Sequence, residues 1–276
     1  MTGIAAVVLA GTRGEGDPLA AAEGVRHRAL LPVAGVPMLL RVVRTLRAAP
    51  EIGEIHVSID DPSALSEVAE LVEALEEGSV LVRRSLDSPS RSVLDCLEAI
   101  GPRPALVTTA DHALLTPEMV ARFLADSEAS QADLCIGLVS RSVLEARFPE
   151  STRTWLPFRD DDYSGANLFL FRTAGSRRAA DFWRRAESFR KRPWRLVGAF
   201  GPVSLVLFLL KRLGLDEALA RASRTIGARI VAVRLPMAEA AIDVDRPSDL
   251  ALVTELLEGA QSARSSDASK LPRAGS

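Results

Sequence analysis

The side chains best suited to chemistry in this sequence are acids delivered at the ends of apolar runs. Thr108-Thr109-Ala110-Asp111-His112 closes the run that begins at Ala105, so a buried strand would present Asp111 at its carboxyl end. A carboxylate there can hold Mg2+, which bridges phosphate oxygens during group transfer. An aspartate that merely turns or caps the chain looks the same on its own. His112 reads more readily as a partly buried histidine bonded to backbone than as a ligand. A second acidic stretch, Asp243-Val244-Asp245-Arg246-Pro247-Ser248-Asp249-Leu250, precedes a proline-opened helix. In extended backbone alternate side chains share a face, which would aim Asp243 and Asp245 at one ion. Acids before a helix are also favoured by its dipole, an explanation of similar weight for Asp245.

A glycine-rich turn follows the first apolar run. Leu9-Ala10-Gly11-Thr12-Arg13-Gly14-Glu15-Gly16 continues to Arg26-His27-Arg28-Ala29-Leu30-Leu31-Pro32. Gly11, Gly14 and Gly16 let backbone N–H groups approach phosphates, and Arg13 and Arg28 can neutralise triphosphate charge. By itself the loop is equally a surface turn with solvated arginines. It is neither a Walker loop nor a Gly-x-Gly-x-x-Gly dinucleotide fingerprint. A further turn, Tyr163-Ser164-Gly165-Ala166-Asn167, has a glycine that permits close approach and an amide that both donates and accepts. The charged segment holding Arg153, Trp155, Arg159 and Asp160 to Asp162 is either an acceptor-binding insertion or a solvated loop.

The elements that must position these residues alternate. Apolar runs at Ile4–Leu9, 55–59, 79–82, Ala105–Thr109, 134–139, 166–171 and 230–233 read as strands. Helical patterns fall at 37–46, 63–75, 92–100, from Pro117, at 176–190, from Pro202 to a stop at Gly214, and at 247–257. The alternation predicts an α/β fold with a doubly wound, mostly parallel sheet, whose ligands bind beyond the carboxyl ends of the strands. One domain over residues 1–260 and a disordered tail over 261–276 are expected.

The bulk properties narrow the function classes. With 34 Lys+Arg against 36 Asp+Glu the formal net charge is -2, so nothing global points to nucleic acid and any anion site must be local. The two cysteines, Cys96 and Cys135, have no neighbouring Cys or His, which argues against a disulfide framework or zinc knuckle and fits a reducing cytoplasm. Val203 to Leu210 is strongly apolar but far below the roughly 20 residues needed to cross a bilayer. Preceded by the basic cluster Arg184, Arg185, Arg190, Lys191, Arg192 and Arg195, it is a candidate for a peripheral membrane contact or a homodimer surface.

Taken in order, these segments resemble the MobA-like nucleotidyltransferases, over roughly residues 4–257. Leu9-Ala10-Gly11 with Arg13, then Ala29-Leu30-Leu31-Pro32-Val33-Ala34-Gly35 and Pro37-Met38-Leu39, looks like the family's NTP-binding opening. Ala110 to Leu115 resembles its metal-binding acid motif, Gly165-Ala166-Asn167 its acceptor-side turn, and Asp243 to Leu250 its closing acidic motif. Thr12 stands where a second glycine is usual, Ala113 where proline is common, and Arg28 where a phosphate-binding lysine is normal. The resemblance implies a Rossmann-like, GT-A-like nucleotidyltransferase fold. It also implies attack of an acceptor phosphate on the α-phosphorus of an NTP, with CTP or GTP favoured, and release of pyrophosphate. Leu9, Ala10, Gly11, Thr12, Gly14 and Gly16 would bind nucleotide, with Arg13, Arg28 and Asp111 catalytic. Asp111, Asp243 and Asp245 would hold Mg2+, and Arg153, Gly165 and Asn167 would face the acceptor. The alternatives are a nucleotide-sensing module that has lost catalysis, motivated by Arg28, and a nucleotide-sugar glycosyltransferase, which the Arg13 to Pro32 signature disfavours.

Overall fold

Alternating burial along the first strand sets the architecture. In β1 (Ile4–Leu9), Ala6 and Val8 enter one apolar cluster and Ala5 and Val7 another, so both faces of the sheet are covered. The computed structural model of the chain describes residues 3–12, 17–151, 153–186 and 201–268. Beside β1 lie β4 (Ile52–Ile59), β5 (Val80–Arg84), β6 (Ala105–Thr109), β7 (Leu134–Ser140), β9 (Asp162–Phe171) and β10 (Ile230–Arg234), in the order β10-β7-β9-β6-β1-β4-β5. Every neighbouring pair is parallel except those made by β9, which runs antiparallel to both β6 and β7. The two-residue β8 (Leu156–Pro157) pairs with β9, and β2 (Pro32–Val33) forms a small hairpin with β3 (Val36–Pro37). The hairpin turn places both Ala34 (φ 45°) and Gly35 (φ 74°) in the left-handed region, as a two-residue connection requires.

Helices cover the two faces. On one side α2 (Met38–Ala48) and α5 (Pro117–Ser130) bury Leu39, Val42, Leu46, Val120 and Phe123. On the other, α4 (Pro89–Ile100) and α7 (Ser176–Ala186) bury Val93, Cys96, Ala179 and Ala180. Side-chain caps start several of them. Asp17 accepts from Leu19 and Ala20 N–H ahead of the short α1 (Pro18–Ala22), and Thr116 accepts from Met119 N–H ahead of α5, each with proline next.

The mostly parallel α/β sheet expected from sequence is the observed one, and four local expectations change. The 63–75 helix is a 3-10 turn (Pro62–Glu67) and then α3 (Ala69–Glu76), because Asp61 takes the Ser63 N–H and hydroxyl and Val68 is extended. Gly214 does not close a helix. α8 (Pro202–Leu209) ends sooner, Lys211 takes a left-handed turn (φ 52°), and Gly214 opens the unanticipated α9 (Leu215–Ile226). The segment 140–164 is not loop throughout, since Ser140 caps α6 (Arg141–Arg147) and β8 follows. α10 (Pro247–Ala268) continues past the expected boundary at Gln261, and residues 269–276 lie outside the described structure.

The three acids at Asp160 to Asp162 are consumed by this framework. Asp160 accepts from Leu215 N–H at 2.9 Å, opening α9, and from the Tyr163 hydroxyl at 2.8 Å. Asp161 accepts from Ser142 and Asp162 pairs with Arg141. On α8 and its C-cap, Val203, Val206, Leu209 and Leu210 are exposed while Phe208 is buried. Of the basic cluster before α8, only Arg184 and Arg185 fall among the described residues. No described helix is long and apolar enough to cross a membrane. Since Asp160 both caps a helix and ties a buried tyrosine, Asp160→Ala is expected to lower unfolding free energy by about 1–2 kcal/mol in urea titration. A change near zero would show that α9 stands without this cap.

Candidate functional site

The carboxyl ends of β1 and β6 meet at one cleft, lined by Leu9, Ala10, Gly11, Arg28, Ala29, Met38, Ala110 and Asp111, with the end of β4 next to β1. The strands' register explains the meeting. Leu9 pairs with Thr109 on one side and with Ser58 on the other, so the residues just beyond them, Ala10, Asp111 and Asp60, emerge together. Ala110 N–H donates to the Leu9 carbonyl and Ala10 N–H to that of Ser58, which fixes the exit of the chain. Ala10 and Ala110 are buried and Gly11 is exposed. At Gly11 an added Cβ would lie 2.9 Å from the Ser85 hydroxyl, so the turn runs close against the β5 end.

Asp60 was not singled out by sequence, although it stands at a strand's carboxyl end by the same logic as Asp111. Its carboxylate takes the Thr12 N–H at 2.9 Å, the Thr12 hydroxyl at 2.5 Å and His27 Nε2 at 2.9 Å. His27 Nδ1 accepts from Ala29 N–H, so Nε2 is the donor to Asp60. Burial works against the charge on Asp60, but the Thr12 and His27 bonds prevail and pull its pKa down to about 2. Thr12, where the resemblance implies glycine, is therefore an anchor of the opening turn. Arg13, Gly14 and Gly16 lie outside the described residues.

Arg28 does not point freely into the cleft. Its Nη1 donates to Asp17 Oδ2 at 2.9 Å, and its Nη2 donates to the Val244 carbonyl at 2.5 Å and to Asp245 Oδ1 at 2.7 Å. Burial disfavours its charge, but Asp17, with Asp111 and Asp245 behind it, more than offsets that and raises its pKa. Asp17 is thus both a helix cap and a counter-ion, a role its position before Pro18 signalled only in half. The guanidinium fork ties the opening loop to the closing acidic motif.

Asp111 accepts a 2.5 Å bond from the Thr109 hydroxyl, and its backbone carbonyl accepts from Val244 N–H at 3.1 Å, bringing the closing motif against it. Burial raises its pKa, the Thr109 bond resists, and the charges of Asp243 and Asp245 add to the rise, which reaches about 6. His112 beside it corrects the expectation of a backbone-bonded ring. It is 1% exposed, neither ring nitrogen has a hydrogen-bond partner among the described residues, and burial lowers its pKa to about 4.

Asp243 is held from two sides. Arg153 Nη1 donates to Oδ1 and Asn167 Nδ2 to Oδ2, the latter at 3.3 Å. Burial raises its pKa by more than the charge of Arg153 lowers it, and the nearby charge of Asp245 adds to the rise. Asn167 reaches it from a bulge. Between Ile136–Phe169 and Leu138–Gly165 pairing, β9 carries two extra residues, and Asn167 there adopts φ 49°, a left-handed conformation that asparagine tolerates. Gly165 in contrast faces open space where a Cβ would stand, so no close approach demands it. Asp245 does not share a face with Asp243 as alternation suggested, being 59% exposed and turned to Arg28. Asp249, quoted in the motif without a role, caps the turn through Asp245 and Arg246 N–H and also accepts from Arg153 at 3.3 Å.

Among the described residues no three or more His, Cys, Asp or Glu are gathered as a metal cage. Mg2+ is ordinarily held by one or two carboxylates completed by waters and substrate phosphates. Two hard-oxygen acids, Asp111 and Asp243, each with proton affinity raised chiefly by burial, fit an ion of that kind. Asp245 and Arg28 do not belong to such a donor set in this conformation.

The fold and site have recognisable relatives. A sequence profile described as the MobA-like NTP transferase domain matches residues 6–154, more than half of the chain. Among solved structures, a hypothetical transferase from Thermus thermophilus is 33% identical with a TM-score of 0.73, covering 90% of this chain and 99% of its own. CMP:2-keto-3-deoxy-manno-octonic acid synthetase complexed with CTP shares the fold at 16% identity and TM-score 0.54, covering 93% of this chain and 99% of its own. So does 4-diphosphocytidyl-2C-methyl-D-erythritol synthase from Anaerococcus prevotii, at 12% identity and TM-score 0.57 with the same coverage. Among curated proteins, none matches the chain. With the opening turn and Asp111 at the carboxyl ends of neighbouring strands and the closing acidic motif bonded to Asp111, the chain belongs to the MobA-like NTP transferase family.

Proposed function

We propose that this protein transfers a nucleoside monophosphate from an NTP to a phosphorylated small-molecule or lipid-precursor acceptor, releasing pyrophosphate, in a Mg2+-dependent reaction. The observation that carries the reading is the single cleft in which the Gly11 turn, Arg28 and Asp111 meet. CTP is the first nucleotide to test, because one synthetase of the same fold is complexed with CTP and another is named for a diphosphocytidyl product, and GTP is the second. Leu9, Ala10, Gly11 and Thr12, with Gly14 and Gly16, would carry the nucleotide. Arg13 and Arg28 would take triphosphate charge, and Arg153, Gly165 and Asn167 would face the acceptor.

In the chemistry this implies, the acceptor phosphate attacks the α-phosphorus in line and the bond to the β-phosphate oxygen breaks. The chain's task is positioning and charge stabilisation, with no covalent intermediate on the protein. A bound divalent ion would supply Lewis-acid stabilisation of the negative charge that develops during transfer. Asp111 and Asp243 are the residues that would hold it. Arg28 would exchange its Val244 and Asp245 contacts for phosphate oxygens while Asp17 keeps it aimed. The free, buried cysteines agree with a cytoplasmic location. Exposed Val203, Val206, Leu209 and Leu210 support a surface contact there, with a membrane boundary or a second copy.

A second reading, a nucleotide sensor without turnover, is favoured by one observation: Arg28, at the usual lysine position, is already engaged by three groups. The two readings part in a pyrophosphate-release assay over the common NTPs and phosphorylated acceptors. The transferase turns over as the native chain, and Asp111→Asn and Asp243→Asn each lower kcat about 100-fold or more. A sensor is silent with every pair and gains turnover only as Arg28→Lys.

Asp111 also makes a prediction in the absence of ligands. Its folded pKa of about 6 lies above the ordinary 3.8, so the stability it contributes is complete below about pH 4 and is lost as pH rises through 6. Asp111→Asn is therefore expected to stabilise the ligand-free protein by about 3 kcal/mol at pH 8 and to leave it unchanged at pH 4. Urea unfolding at the two pH values measures this, and equal effects at both would contradict a strained carboxylate.

A further inference from the structure

We propose that Arg153 is a positioning residue which occupies Asp243 as a stand-in for the metal in the ligand-free protein, and that a divalent cation displaces its guanidinium toward the anionic acceptor. The inference rests on the function proposed above and concerns the order in which its site assembles. Both oxygens of Asp243 are committed, Oδ1 to Arg153 Nη1 and Oδ2 to Asn167 Nδ2. A cation on Oδ1 would stand against the positive charge of the guanidinium, so metal loading at Asp243 competes with the Arg153 contact.

The surroundings give it somewhere to go. Arg153 Nη2 already reaches Asp249 Oδ1 at 3.3 Å, and Asp249 is fixed because its other oxygen takes the N–H groups of Asp245 and Arg246 at 3.2 and 3.0 Å. The guanidinium thus lies between two carboxylates, one anchored and one needed elsewhere. Its remaining partners are weak: Nε donates to Ser151 Oγ at 3.3 Å, and the Asp243 carbonyl accepts at 3.4 and 3.5 Å. The backbone of residues 153–155 is in neither helix nor strand. Two residues on, Trp155 packs against the main core under the Arg141 guanidinium, 5.6 Å from its ring, so the segment has a fixed end beside the arginine. Charge balance points the same way. Among the described residues Arg28 pairs with Asp17 and Asp245 and Arg153 with Asp243 and Asp249, and a divalent ion entering this group frees positive charge for an anion. A phosphate brought by the acceptor is the anion the proposed reaction supplies.

Mn2+ binding followed by electron paramagnetic resonance, with neither nucleotide nor acceptor present, reads this directly. Removing the competitor in Arg153→Gln is expected to tighten Mn2+ about tenfold, while acceptor KM rises about tenfold and NTP KM stays near that of the native chain. Arg153→Lys is expected to fall between the two in Mn2+ affinity. An arginine that only braces the fold would give unchanged or weaker Mn2+ binding on removal, and that result overturns the proposal. Because loss of a buried charge partner could unfold the variant, a second measurement uses the native protein. Arg153 is 7% exposed, and its modification by phenylglyoxal, mapped by peptide mass, is expected to rise severalfold when Mn2+ alone is added. No rise, or no Mn2+ binding at all, likewise sinks the exchange. Turnover without Mn2+-dependent exposure of Arg153 would defeat this inference and leave the transferase intact. Exposure without turnover would do the reverse.

Discussion

Two largely buried carboxylates, Asp111 just past the carboxyl end of a central strand and Asp243 close enough for its charge to be felt there, are what the rest of this structure is arranged around. Asp111 and Asp243 each lose hydration and each feel Asp245, and their proton affinities rise as a result. A fold optimised only for stability would replace such a pair by apolar or hydrogen-bonded neutral groups. Keeping it is consistent with a site that waits for a cation. The same negative charge explains why both nearby arginines are engaged, since a guanidinium left in solvent would leave the acids uncompensated.

The topology supplies the compensation from distant parts of the chain. Arg28, from the opening segment, reaches residues 216 and 217 positions away at the closing motif. Arg153, from the connection between β7 and β9, reaches Asp243 and Asp249. The antiparallel insertion of β9 between β6 and β7 is what brings Asn167 to Asp243, and the bulge with its left-handed asparagine turns the amide toward the acid. A regular strand there would follow the pleat and send the side chain elsewhere. Site geometry in this protein therefore depends on a local departure from sheet regularity.

That departure marks the limit of what the sequence made legible. Strands buried on both faces leave an unambiguous apolar run, which is why Ile4–Leu9 and Ala105–Thr109 were read to the residue and Asp111 was placed at a strand's end. Strand direction leaves no such trace, so the antiparallel β9 was not foreseen. Pro117 and Pro202 open helices as proline punctuation implies, whereas Gly214 opens a helix instead of closing one because Lys211 has already taken the left-handed turn. Pairings between distant loops were invisible. Nothing in the spacing told that Thr12 would bind Asp60, that Asp160 would cap α9, or that Asp243 and Asp245 would turn to different arginines.

The replacement of the usual lysine by Arg28 then has a physical reading beyond conservation of charge. An ammonium is one compact point of charge, and on Asp17 it could not also span to the Val244 carbonyl and the Asp245 carboxylate with the same geometry. The planar fork does so by dividing its two terminal nitrogens between the two ends of the chain. The consequence is a site whose opening and closing loops are already clasped before any nucleotide arrives. Ordering those loops is part of what ligand binding must otherwise accomplish. Against that gain stands the need to break two of the fork's bonds when phosphate oxygens enter. The balance between a pre-closed site and a preoccupied arginine is therefore what separates an efficient transferase from a protein that only holds its nucleotide.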